Sequence, residues 1–502
     1  MKVLKRFAHL MLAVSLVFCG ILSFDVASVK AEGGLVINSV TISGDTVVVS
    51  ASGGAASEDG MYHLIASAAC QAAPMGDDIA QQSVGQTEFR VPLNKGLPNS
   101  LLYKKFTICV SLGGALAPVS NTMYILNPEA CATVTPARMD NGIKGIFPEI
   151  DDAIANKNQV STLGVNQVNL NVPISMIYRL GDYDHLVQKY NNLGIQVNMI
   201  LLADKGAGPD YISPLSYKGM KKQSFFAFNA STPEALEKVG NAAATIASRY
   251  SGIGYGQVDN FIIGNEVNAW REWNYMKFDT YEQFMNEYCK AFRVMYNAIK
   301  GANGSANVYT CIDHQWAKPE ASYYMSGKEF LIRFNQTISA EGNIDWRLAV
   351  HPNNYWLLAP KAWETSAKVT HDQSTPYVTM ANLEVLTDYM SLPEMLSPTG
   401  AVRSVKIAEL GYVSNKGEDI QAASVVFAYL VASNNSHIDG IVILREADNK
   451  IEIKQGIKCG LCDVKGNPKK AFSFYQNPLD PNIVAQASAI AGVDLNSLVV
   501  PR

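Results

Sequence analysis

Between about Asn141 and Tyr475 the chain alternates eight times between a short apolar run and a longer amphipathic stretch. The runs are Ile143–Ile146, Val165–Val172, Gln196–Leu202, Asn260–Gly264, Val308–Ile312, Trp346–Val350, Val402–Ala408 and Ile438–Leu444. Short runs of this kind, rich in β-branched residues and apolar on both faces, read as parallel strands buried under helices. Between them, Tyr183–Leu193, Pro233–Tyr250, Thr280–Lys300, Asn382–Tyr389 and Ile420–Asn434 place apolar residues at helical spacing. Eight strand–helix units predict an α/β fold, a (β/α)8 TIM barrel over residues 141–480. Another α/β sheet is the alternative, and a nucleotide-binding one is disfavoured because no G-x-G-x-x-G or P-loop follows the first strand.

The chain before the barrel has a different period. Leu35–Ser43, Asp45–Ala51, Tyr62–Ala66, Gln86–Pro92, Tyr103–Leu112 and Thr122–Leu126 are strand-like and separated by Gly, Ser, Asn and Asp clusters at hairpin spacing. This predicts a small all-β sandwich over 32–126, a linker over 127–140 opening on Asn127-Pro128, and a C-terminal tail over 481–502. The sandwich gathers no cluster of titratable groups and reads as a structural or sugar-binding accessory module.

Met1–Arg6 is basic, Phe7–Phe24 is apolar, and Val29-Lys30-Ala31 offers small residues at the cleavage positions, which predicts a signal peptide over 1–31 and a secreted protein. A membrane anchor is the competing reading, but Asp25 interrupts the run as it approaches spanning length. A lipoprotein at Cys19 is disfavoured by the bulky Phe18, and no second apolar segment of spanning length follows. Seven cysteines remain after cleavage, so at least one thiol stays unpaired. Cys70 with Cys109 is a candidate staple for the first domain. Cys459-Gly-Leu-Cys462 stands without a second pair, so it reads as a short-loop disulfide or two thiols rather than a zinc site. The formal charge of −4 provides no basic excess for nucleic acid.

Two of the apolar runs end in a glutamate: Glu266 after strand four and Glu409 after strand seven. The C-terminal ends of barrel strands are where this fold carries its chemistry. Two carboxyls facing one cleft can cleave a glycosidic bond, one as acid and the other as nucleophile or base. A retaining reaction requires them about 5 Å apart, and an oxygen–oxygen separation of about 4.5–6 Å is expected here. At that distance two charges cannot both form cheaply, so the neighbour prepares the acid. Asn265 would normally point away from Glu266, and a bulge is needed to bring both into the cleft.

Aromatic and polar residues crowd the same strand ends. Trp270 and Trp273 follow strand four, Asp313, His314 and Trp316 follow strand five, and His351, Tyr355 and Trp356 follow strand six. Aromatic faces suit the C–H faces of pyranose rings, and polar tips orient hydroxyls. His351 reads as a hydrogen-bonding residue, since no second His or Cys stands at metal-ligand spacing. No metal and no cofactor is expected. Arg445, after strand eight, either pairs with Asp448 or reads an anionic or heavily hydroxylated sugar.

The placement of Asn265-Glu266 on strand four and Glu409 on strand seven resembles the clan A glycoside hydrolases. The resemblance implies that Glu266 protonates the leaving oxygen and later activates water, that Glu409 attacks the anomeric carbon, and that Asn265 binds the sugar's 2-hydroxyl. It also suggests Tyr355 as a donor to Glu409. The segments Ile263–Tyr275, His351–Tyr355 and Asn382–Tyr389 look like a mostly bacterial family known only as a domain of unknown function. Two positions depart from clan A. Strand two ends in Asn169-Leu-Asn171 where many members place an Arg, and strand eight ends Ile443–Asp448 where many place a Trp. Three functions follow as expectations: a secreted retaining glycoside hydrolase, a non-catalytic carbohydrate-binding or cell-surface protein, and a transglycosylase. In each the partner is a carbohydrate.

Overall fold

Eight parallel strands close into a barrel in the computed structural model, which describes residues 34–150, 159–217, 223–321 and 323–502. The expected signal peptide lies outside the described residues. The strands, one to eight, are Lys144–Ile146, Gln167–Pro173, Gln196–Asp204, Val258–Ile263, Asn307–Ile312, Trp346–Val350, Val405–Leu410 and Ile438–Ile443. Each pairs in parallel with the next, and strand eight returns to strand one through Ile441 opposite Lys144. Closure leaves no free edge in the ring.

Helices Gly181–Asn192, Pro233–Arg249, Tyr281–Ala302, Gly327–Ala340, Glu384–Met390 and Glu418–Ser433 surround the strands. Capping is local: the Thr232, Thr280 and Ser326 hydroxyls accept from backbone N–H groups of the helices they open. Residues 481–502, read as a tail, are not one. Asp480 caps a helix Pro481–Ala491 that buries Val484 and Ala487 in the barrel's outer core, alongside Leu495. An Asp before a Pro is a helix start, and that signal was present in the sequence.

Before the barrel stand two small antiparallel sheets. Leu35–Ser43, Thr46–Gly53 and Glu88–Pro92 form the first, and Met61–Ser67, Asp77–Ser83, Lys105–Leu112, Ala115–Pro118 and Met123–Tyr124 the second. Their inner faces share one core around Val40, Val49, Leu64, Phe89 and Ile108. They dock on the helix Tyr281–Ala302, where the buried Arg293 donates to the carbonyls of Ile125 and Gly342 and Lys95 donates to that of Gly301. Cys70 and Cys109 are separate thiols, so the candidate staple does not form, and no disulfide joins Cys459 to Cys462. No helix among the described residues is long and apolar enough to cross a membrane.

Inside the barrel, Ile200, Leu202, Ile262, Tyr309, Cys311, Ala349 and Ala408 form an apolar layer. A polar layer also lies within. Lys406 Nζ is 3.0 Å from Asp439 and donates to Gln167, and Asn198 bridges Asn169 and Asn260. Lys406 is 1% exposed, so replacing it with Met leaves Asp439 without its nearest buried cation. Lys406→Met should lose about 3 kcal/mol of stability, seen as a lower urea midpoint at unchanged slope.

Candidate active site

Side chains of a strand point alternately to its two faces, so every second residue enters the barrel. On strand five Tyr309 and Cys311 face inward, and the next inward position is Asp313; on strand six Ala349 is followed by His351. Strand four stops at Ile263. Gly264 then takes φ +82°, and a Cβ there would approach Val267 to 3.0 Å. Glu266 itself has φ +38°, a left-handed conformation uncommon for a residue with a side chain. This turn, rather than a continued strand, brings Asn265 and Glu266 to the same cavity.

Strand seven reaches the site by a different device. Its register against strand eight slips by one residue between Ile407 and Leu410. Lys406 and Ala408 face the interior, and regular alternation would send Leu410 inward next. Leu410 instead packs in the outer core, and Glu409 lines the cavity. The extra residue is a β-bulge that re-aims one side chain.

The two glutamates and His351 meet at the barrel mouth. One carboxylate oxygen of each and a ring nitrogen of His351 lie within 4.8 Å of one another, a spacing a cation could also span. His351 Nδ1 is 2.8 Å from Glu266 Oε1, and its Nε2 is 3.4 Å from Cys311 Sγ. Burial opposes a charged imidazole, but Cys311, Glu409 and the bond to Glu266 overcome it and hold His351 well above its usual range. Burial also raises Glu409, opposed by His351 and Arg445 and reinforced by Glu266. Burial pushes Asp313 up to about 6, with His314 opposing and Glu266 adding to it. Asn268 fixes Asp313 by donating to it at 2.6 Å.

Two cavities, of about 540 and 470 Å³, adjoin the pair and share Glu266, Trp273, Glu409, Leu444 and Glu452. Asn265 and Arg445 line the first, and Asp313, His314, His351 and Tyr355 the second. Trp270 and Trp316 line neither. Trp270 packs edge-on to Phe278 at 4.7 Å, and Trp316 is 2% exposed against Tyr389 in the core. Tyr355 stacks on Tyr377 at 4.2 Å and makes no bond to Glu409. Arg445 pairs with Glu452 at 2.5 Å, while Asp448 is taken by Lys469 at 2.8 Å, so the expected Arg445–Asp448 pair does not form.

Several contributors escaped the sequence reading. Phe225 lies in a two-residue strand, Phe225–Phe226, antiparallel to the end of strand three, and Glu452 in the short helix Lys450–Ile453 after strand eight. Neither is marked by a strand end. Asn268 and Asn353 stand within motifs already noticed; Asn353 accepts from Gly411 N at 3.0 Å and so ties the end of strand six to that of strand seven. Trp356, which the sequence placed beside Tyr355 after strand six, does line the second cavity and is 68% exposed.

A family model matches residues 178–497, which hold strands three to eight with their site residues and the helix Pro481–Ala491. The chain belongs to the family of unknown function DUF5722. Among curated proteins none matches it. Solved structures similar to this DUF5722 member include a family 39 glycoside hydrolase from Bacteroides cellulosilyticus WH2 (14% identity, 88% of this chain, 78% of that chain, TM-score 0.47). A β-D-glucuronidase for Dictyoglomus thermophilum is similar at 12% identity over 88% of this chain and 68% of its own, with TM-score 0.38. An exo-β-1,4-mannosidase from Opitutaceae bacterium strain TAV5 is similar at 15% identity over 71% and 62%, with TM-score 0.42. None of these likenesses carries a substrate or a mechanism to this chain.

Because the folded protein keeps the Asp313 proton up to about pH 6 while the unfolded chain releases it near the ordinary carboxylate value, stability from this group falls as pH rises across that window. Raising the pH from 4 to 7 should cost the wild type up to about 3 kcal/mol more than Asp313→Asn, measured as paired urea midpoints.

Proposed function

We propose that this protein is a secreted retaining glycoside hydrolase, with Glu409 as nucleophile and Glu266 as acid and base. The observation that carries the reading is the approach of the two carboxyls to within 4.8 Å. That agrees with the roughly 5–5.5 Å of a retaining pair and leaves no room for the water an inverting enzyme places between them. Secretion rests on the N-terminal sequence alone.

In the first step Glu409 attacks the anomeric carbon while Glu266 gives its proton to the departing oxygen. A glycosyl ester on Glu409 and a free alcohol result. In the second, Glu266 removes a proton from water, which attacks the same carbon and releases Glu409. The nucleophile must be ionised to attack, and His351 and Arg445 oppose the burial that raises Glu409, so Glu409 is assigned that role and Glu266 the acid and base. Asn265 and Trp273 are assigned to the sugar at the cleavage point, which both adjoin.

Glu409→Gln should lower turnover by several orders of magnitude while sugar binding persists. Unchanged turnover would remove Glu409 from the nucleophile role. With Glu266→Ala, a dinitrophenyl glycoside should still form the glycosyl-enzyme quickly, and azide should restore turnover with retained configuration. An equal loss for good and poor leaving groups, without azide rescue, would move the acid elsewhere. Activity should survive exhaustive chelation; loss on chelation and return with a divalent cation would make the trio a metal centre instead.

The acid limb of kcat/KM should lie above the ordinary carboxylate range, because Glu409 must lose its proton and burial resists that. Removing the neighbouring cation with His351→Asn should push this limb still higher. A limb that stays in place or moves down would show that His351 does not act on Glu409.

A further inference from the structure

We infer that the cleft binds an internal stretch of a glycan chain, with sugars on both sides of the bond to be cleaved, and that the sugars in the cavity between strands five and seven carry no acidic group. This rests on the hydrolase reading and specifies its substrate class.

The first part follows from where the carboxyls sit. A site that trims chain ends is a blind pocket with the catalytic pair near its floor. Here the pair lies between two cavities, each within the roughly 300–1,000 Å³ that a drug-sized ligand fills. Both reach solvent at their far ends among the described residues: the first at Asp182, whose side chain is 51% exposed, and the second at Trp356, 68% exposed. Each arm also has an apolar face for a ring. Phe225 and Trp273 lie 6.0 Å apart in the first, and Tyr355 on Tyr377, with Trp356 beside them, forms the second.

The second part follows from charge. Besides the catalytic pair, the second cavity is lined by Asp313, Glu320 and Glu452, and no Lys or Arg lines it among the described residues. The guanidinium nearest to it, Arg445, belongs to the first cavity and is tied to Glu452. What Arg445 still offers is an Nε–H without a protein partner, suited to a hydroxyl. A uronate entering the second arm would leave water to face carboxylates with no Lys or Arg, and the one cation there, His351, is already held by Glu266. A neutral sugar loses nothing there, and an ammonium group of an amino sugar gains.

The test uses the full chain and its Glu409→Gln variant. Calorimetry should show the variant binding neutral or amino-sugar hexasaccharides, with affinity rising from disaccharide to hexasaccharide, and binding uronic-acid hexasaccharides at least about 100-fold more weakly. On neutral polymers or chitosan the active protein should lower viscosity before monosaccharide accumulates. Phe225→Ala and Trp356→Ala, at opposite ends, should each weaken hexasaccharide binding by up to about tenfold, the worth of a lost aromatic face. Loss from one side only, or monosaccharide as the first product, overturns the two-sided site. Equal binding of uronic chains, or no binding of neutral and amino-sugar chains, overturns the charge argument. Because binding to Glu409→Gln needs no chemistry, these outcomes stay separate from failure of the hydrolase reading, which would show as binding without turnover in the wild type.

Discussion

The inside–outside alternation of a closed parallel sheet governs what this protein can present at its mouth. Once strand eight pairs with strand one, each strand has one face toward the axis, and the residue following its last inward apolar side chain must project into the opening. Strands five and six obey this without adjustment and deliver Asp313 and His351. Strands four and seven do not. The first is cut short by Gly264 and a left-handed Glu266, and the second carries one extra residue. Both strands that supply the facing carboxyls carry irregular backbone, and in strand seven a regular ladder would aim Leu410 into the opening.

Electrostatics bind these four residues into one unit. His351 bonds Glu266 and lies within 4.8 Å of Glu409, and Cys311 with these carboxylates overcomes the burial that opposes its charge. Arg445 approaches from strand eight already paired with Glu452, so its charge is shared. The site's protonation state is therefore a property of the group, and a change at one member is felt at the others.

Much of this was legible in the sequence for a physical reason. Strands buried on both faces cannot afford polar residues in their upper halves, so a carboxylate at the end of such a run stands out, as Glu266 and Glu409 do. Helix starts are local too, and Thr232 and Thr280 cap where the spacing placed them. What stayed hidden depends on chain returning from far away. Trp316 and Trp273 look alike in sequence, each in the loop after a strand, but Trp316 folds back under Tyr389 while Trp273 borders the cleft. Nothing near Arg445 announces that its partner is Glu452 rather than Asp448. The helix after Asp480 was overlooked although its cap was in plain view.

The bulge in strand seven sets a rule of spacing for any chain built on this pattern. A count of residues from the buried Lys406 to Glu409 gives three, an odd number, where a regular strand would demand an even one. At this length an unbroken ladder would turn Glu409 toward the surrounding helices and give the opening a leucine. A regular strand that kept the carboxylate inward would need one residue fewer, or one more, between the two positions. Hydrophobic pattern alone does not register that difference, so the length of this one segment and its bulge have meaning only together.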